Sequence, residues 1–75
     1  MSTVPALTGI KLEKILKKSG FIKDRQKGSH LILIHPINKS RVVIPIHAGK
    51  TIKKSLLMAI IKDAKLSVEE FMDLL

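Results

Sequence analysis

Cysteine is absent from this 75-residue chain, and so are tryptophan and tyrosine. Without thiols there is no disulfide to staple the fold and no thiolate to serve as nucleophile or metal ligand. Such a chain suits a reducing compartment, and the expected location is cytoplasmic. Phe21 and Phe71 are its only aromatic residues. That excludes an aromatic platform on which bases of a single strand could stack, so any nucleic acid would be gripped by phosphate and shape. Long apolar runs are missing too. Leu31–Ile34 and Leu56–Ile61 are the longest, well short of the roughly 20 residues needed to cross a bilayer. No basic segment followed by an apolar core opens the sequence, so no secretion signal or membrane partner is expected.

Acidic residues are scarce. Six Asp and Glu stand against 14 Lys and Arg, a formal net charge of +8. The excess is localised. Lys11 to Lys54 holds twelve basic residues against Glu13 and Asp24, a net +10, whereas Ser55 onward holds two against four, a net −2. A cationic body of this strength points to a polyanionic partner, because each phosphate neutralised releases counterions. A chain this short makes one small domain with a thin core.

The order of elements follows from periodicity. Met1–Leu7 has none and reads as a flexible leader to a single domain over residues 8–75. Thr8 is a candidate N-cap. Ile10, Leu12, Ile15 and Leu16 then recur at helical spacing, and Gly20 is suited to end the helix, which spans about Gly9–Ser19. Phe21–Gln26, Ser29–His35 and Arg41–Ile46 read as strands, broken at Lys27-Gly28 and at Pro36–Ser40. Thr51 is a candidate cap for a helix over Lys53–Ala64. Ser67 with Glu70 three residues on forms a capping box for a last helix over Val68–Leu75, with Leu66 against Phe71 or Met72 as a hydrophobic staple.

Short connections make the three strands antiparallel neighbours, and a meander must bury one face under helices. The expected architecture is α+β: an α-β-β-β-α layout like that of double-stranded-RNA-binding domains, plus a short C-terminal helix. The middle strand is apolar on both faces, with His30, Ile32 and Ile34 opposite Leu31, Leu33 and His35. The helices suffice for only one face. The other is expected to attract a protein partner or a second copy, unless the last helix covers it.

Of the chemistry-bearing residues, His30 stands out. It follows the basic turn Arg25-Gln26-Lys27-Gly28-Ser29, and imidazole exchanges protons near neutral pH. RNA carries its own nucleophile in the 2′-hydroxyl. Cleaving it requires proton transfer and stabilisation of a charged phosphorane, which one histidine and neighbouring cations could supply without metal or cofactor. Antiparallel pairing brings the start of the second strand near the end of the third, so His47 is expected near His30 and His35 at the opposite end. That separation, and the lack of carboxylates in these turns, speaks against a histidine metal site. Ser29 is read as a turn residue. Lys50 and Lys53, beside Ala48-Gly49-Lys50-Thr51, could hold an anion at a helix start, although the glycine spacing of a Walker loop is missing.

Gly20-Phe21, Arg25-Gln26-Lys27-Gly28-Ser29-His30, Val43-Ile44-Pro45-Ile46-His47, Lys50, and Leu66-Ser67-Val68-Glu69-Glu70-Phe71 occur together and in this order. From about Ile10 onward the sequence resembles the HicA (YcfA-like) toxins, mRNA interferases of HicA–HicB toxin–antitoxin systems. The resemblance implies a double-stranded-RNA-binding-like fold and metal-independent, cofactor-free cleavage of mRNA. It implies that His30 is catalytic, and that a HicB-type antitoxin binds and masks the site. Arg25, Lys27, Gly28, Ser29, His47 and Lys50 are the candidate supporting or substrate-binding residues. The competing expectations are a non-catalytic RNA-binding or adaptor module, and a DNA-binding regulator. The regulator is disfavoured because no helix–turn–helix signal precedes the strands.

Overall fold

Thr8 opens the first helix, its hydroxyl accepting a hydrogen bond from Lys11 N at 3.3 Å. Helix α1 runs Gly9–Lys18 and turns Leu12, Ile15 and Leu16 inward, the stripe set by helical spacing. The computed structural model describes residues 4–75. Gly20, at φ 107°, ends the helix in a left-handed conformation and turns the chain into the sheet.

The sheet is an antiparallel meander in the order β1 (Ile22–Lys27), β2 (His30–Ile34) and β3 (Arg41–Pro45). A bulge between Lys23 and Arg25 interrupts the β1–β2 ladder at Asp24. Helix α2 spans Lys54–Asp63 and helix α3 Val68–Asp73. Among the described residues no helix is long and apolar enough to cross a membrane. Element ends agree with the expected ones to within one residue, except that α3 stops two residues early.

Directly opposed residues of paired strands share a face. Leu31 pairs with Ile44 and Leu33 with Val42, and all four are buried against Leu12, Leu16, Leu57, Ile61 and Phe71. The α3 helix joins this same core through Phe71 and leaves the opposite sheet face open. The capping box that starts α3 is complete: Glu70 N donates to Ser67 Oγ at 3.0 Å, and Ser67 N donates to Glu70 Oε1 at 2.8 Å. That bond from the Ser67 backbone N–H, reinforced by its side chain, holds the Glu70 carboxyl below its ordinary pKa.

Two local expectations change. Of the leader expected over Met1–Leu7, Met1–Thr3 lie outside the described residues, while Val4 and Leu7 are buried in the core. Periodicity cannot register two isolated apolar residues that pack into a core built from remote segments. Thr51 does not cap α2. It bridges Thr8, next to a bond from Ile52 N to Leu7 O at 2.8 Å, and Lys53 takes the N-cap position with no side-chain hydrogen bond. Thr51 pairs through its backbone two residues before the N-cap, outside the position from which a side chain caps the first helical N–H groups.

Candidate functional site

Gly28 and Ser29 are the only residues between paired Lys27 and His30. A two-residue hairpin with right-handed twist needs positive φ at its first position, and Gly28 has φ 57°. Open space surrounds the place of a Gly28 Cβ, so the demand is conformational and not steric. Gln26 Nε2 donates to Gly28 O at 3.1 Å and braces the turn.

His30 leaves this turn as the first residue of β2. It is solvent-exposed, opposed by Lys27 on one side and by Pro45 on the other. Beyond the ladder, Ile46 N donates to Ser29 O at 2.7 Å. This bond holds β3 against the turn and brings the following residue, His47, to the His30 end of the sheet. His47 is exposed, and its carbonyl accepts from Lys50 N at 3.0 Å in the next turn.

His35 is elsewhere and otherwise engaged. Its Nε2 lies 3.0 Å from Ser19 O, and its Nδ1 faces the Ile37 and Asn38 amides at 3.3 Å each. Two backbone N–H donors require Nδ1 to accept, so Nε2 carries the proton and donates. The ring also meets Phe21 edge-on, centroids 5.2 Å apart. His35 thus links the end of α1 to the β2–β3 turn and is a structural residue.

Gly9 is a contributor that the sequence reading did not single out. Its backbone lies against the end of β3, where an added Cβ would collide with the Pro45 carbonyl oxygen and sit 2.8 Å from Ile46 Cδ1. The contact seats the first turn of α1 on the strand that pairs with His30. The Thr8–Thr51 bridge brings the approach to α2 to the same place. One end of the molecule therefore gathers the starts of both long helices, the Gly28-Ser29 turn, His30 and His47. The only sequence signal was a glycine directly after a capping threonine, too far forward to be a helix stop.

The surroundings are cationic. Among the described residues two side-chain ion pairs occur, Lys17–Glu13 at 3.0 Å and a loose Arg25–Asp24 contact at 3.9 Å. Lys27 and Lys50, both exposed, have no carboxylate within ion-pair distance. No group of three or more His, Asp or Glu side chains suited to a metal occurs among the described residues. A cleft of about 370 Å³ lies instead between Val4–Ala6 and the Thr51–Lys54 segment, and neither His30 nor His47 lines it. An exposed imidazole on a flat, basic surface can exchange protons with a macromolecule lying across it. It offers no enclosure for a small substrate.

On the opposite side from the helices, the register aligns three rows across the strands: Lys27, His30 and Pro45; Arg25, Ile32 and Val43; Ile22, Ile34 and Arg41. His30 therefore belongs to the bare face of the sheet and not to the packed one.

The family model described as "HicA toxin of bacterial toxin-antitoxin" matches residues 9–66, most of the chain. The chain belongs to the HicA toxin family. Membership gives it a toxin role and implies an antitoxin partner. No curated protein matches this HicA-family chain at a significant level. The matched span begins at Gly9, takes in the whole sheet and α2, and includes His30, His35 and His47.

Proposed function

We propose that this HicA-family toxin is a metal-independent endoribonuclease that cleaves mRNA in the cytoplasm with His30 as its catalytic residue, and that a HicB-type antitoxin neutralises it. The observation that carries the reading is the position of His30: a solvent-exposed imidazole at a tight turn, opposite Lys27, on a surface with unpaired lysines.

The chemistry needs little else. His30 accepts the proton of a ribose 2′-hydroxyl, and that oxygen attacks the adjacent phosphorus. The bond from phosphorus to the 5′-oxygen breaks. A proton supplied by a histidinium or water goes to the departing oxygen, leaving a 2′,3′-cyclic phosphate and a 5′-hydroxyl. Lys27 and Arg25 offset the charge that builds on the phosphorane oxygens. Gly28 and Ser29 keep the turn tight enough for the backbone of the RNA to approach, and Lys50 holds phosphate at the helix starts. His47, at the same end, is the candidate second proton carrier.

The test is cleavage of a defined mRNA in EDTA. General acid–base catalysis contributes on the order of 10²–10⁴-fold, so His30→Ala is expected to lose at least a hundredfold in rate while unfolding at the wild-type temperature. Equal rates for the two proteins would remove His30 from the mechanism. RNA binding without cleavage by wild type would leave an adaptor module.

A further inference from the structure

His47-Ala48-Gly49-Lys50 form an exposed turn that carries two candidate partners of His30. Lys50 N donates to His47 O at 3.0 Å, and Gly49 has φ 73°, the positive value that a type II turn needs at its third residue. Side chains do not moor it. The imidazole hydrogen bonds among the described residues are those of His35, and Lys50 joins no ion pair there. The turn is held by its two ends. On one side Ile46 N donates to Ser29 O at 2.7 Å. On the other, Ile52 N donates to Leu7 O at 2.8 Å, beside the Thr8–Thr51 bridge.

The second mooring belongs to a strap, Val4–Thr8, that precedes the matched family span of residues 9–66. Val4 and Leu7 are sunk in the core, and Pro5 and Ala6 between them are exposed. Proline fixes its own φ and keeps the residue before it extended, so the strap loses little chain entropy on docking. A cleft separates Val4–Ala6 from Thr51–Lys54, so the strap joins the approach to α2 at Leu7 and Thr8. The next residue, Gly9, lies against the Pro45 carbonyl and Ile46. Three consecutive residues therefore grip both sides of the turn: Gly9 where it begins, Leu7 and Thr8 where it ends.

We propose that Leu7 and Thr8 are positioning residues: the strap sets where His47 and Lys50 stand relative to His30, and does so without touching RNA. The placement rests on these backbone contacts; its effect on cleavage rests on the ribonuclease reading above. Without the Leu7 bond, the chain from His47 to the start of α2 at Lys54 is anchored at its first end alone. An exposed segment whose few bonds are backbone bonds opens well before the domain unfolds. A catalytic group displaced by about 1 Å can lose about a hundredfold in rate. Ser29 O fixes where the turn starts, and Leu7 O fixes the direction in which it leaves.

The experiment uses the full chain. Leu7→Ala withdraws a core side chain along with the strap. An amide-to-ester replacement at Ile52 is the milder change, deleting only the N–H that Leu7 O accepts. Hydrogen exchange at the Lys50 amide, read by NMR, is expected to speed by at least about tenfold in both, with the His47 ring signals shifted and those of His35 unmoved. Val68→Ala, which thins the core from α3, controls for lost stability: it should lower the melting temperature without speeding Lys50 exchange. Cleavage of mRNA should fall at least about tenfold in both strap variants. In a His47→Ala, Lys50→Ala background the same changes should cost less than about threefold, because the turn they place no longer carries either group. A purely structural role would subtract equally in both backgrounds. Equal losses there would overturn the proposal. So would Lys50 exchange that ignores the ester, or that Val68→Ala speeds as much as Leu7→Ala does. If exchange and ring signals respond as expected but wild type cleaves no RNA, the placement stands and the ribonuclease reading falls.

Discussion

Gly9 and Pro45 are in backbone contact: no room exists for a side chain between the first turn of α1 and the carbonyl that closes β3. An alanine inside a helix is ordinarily better than glycine by up to about 1 kcal/mol. Here the obstructing atom is backbone, which cannot swing aside. Gly9→Ala should therefore destabilise the fold by about 1–3 kcal/mol, the usual cost of overpacking. Thermal unfolding measures it. An unchanged or higher midpoint would mean that α1 rides freely on the strand.

His35 gives a second, opposite test of the histidines. Truncation to alanine strips partners from Ser19 O and from the Ile37 and Asn38 amides, and removes the edge contact with Phe21. A loss of about 1–3 kcal/mol in urea unfolding is expected. Cleavage per folded molecule should stay at the wild-type level, in contrast to His30→Ala.

The capping box makes stability depend on acid. The folded-state pKa of Glu70 is depressed below the ordinary 4.5 by the Ser67 backbone N–H, so the charged form is favoured by folding. Its contribution is present above the unfolded-state pKa and fades as pH falls through the folded one. The stability gap between wild type and Glu70→Ala, followed by urea unfolding, should be full at pH 7 and shrink once the pH drops below about 4.5. A gap constant down to pH 3 would show that the carboxylate charge plays no part.

Phosphate contacts should be visible in salt dependence. Removing one lysine that touches a phosphate lowers the slope of log K against log salt by about 1. Lys27→Ala and Lys50→Ala are each expected to do so in RNA-binding titrations. Lys39→Ala, in the turn at the far end of the sheet, should leave the slope unchanged. Equal slopes for all three would argue against an oriented complex.

What the sequence made legible was mostly local. The stripe of Leu12, Ile15 and Leu16, the turn at Gly28, and the box at Ser67 and Glu70 each announce themselves within a few residues. Antiparallel connectivity also separated His35 from His30 and His47 before any coordinates. The illegible features are contacts between remote segments. Nothing near Gly9 reveals Pro45, nothing near Thr51 reveals Thr8, and the burial of Val4 and Leu7 depends on surfaces made elsewhere in the chain. The middle strand, apolar on both sides, did not disclose which side the helices would cover. Leu31 and Leu33 took the core because their partners are Ile44 and Val42, while Ile32 and Ile34 face Val43 and Arg41.

The bulge at Asp24 has a consequence for crowding. An uncovered three-stranded sheet ends in two edge strands, and flat edges recruit further strands into aggregates. Here β1 is kinked at Asp24 and lined with Lys23, Arg25 and Lys27, while β3 ends in Pro45, which has no N–H to offer. Both borders resist lateral growth, so a visitor approaches broadside or not at all. Accumulated chains should therefore resist stacking edge to edge into fibrils.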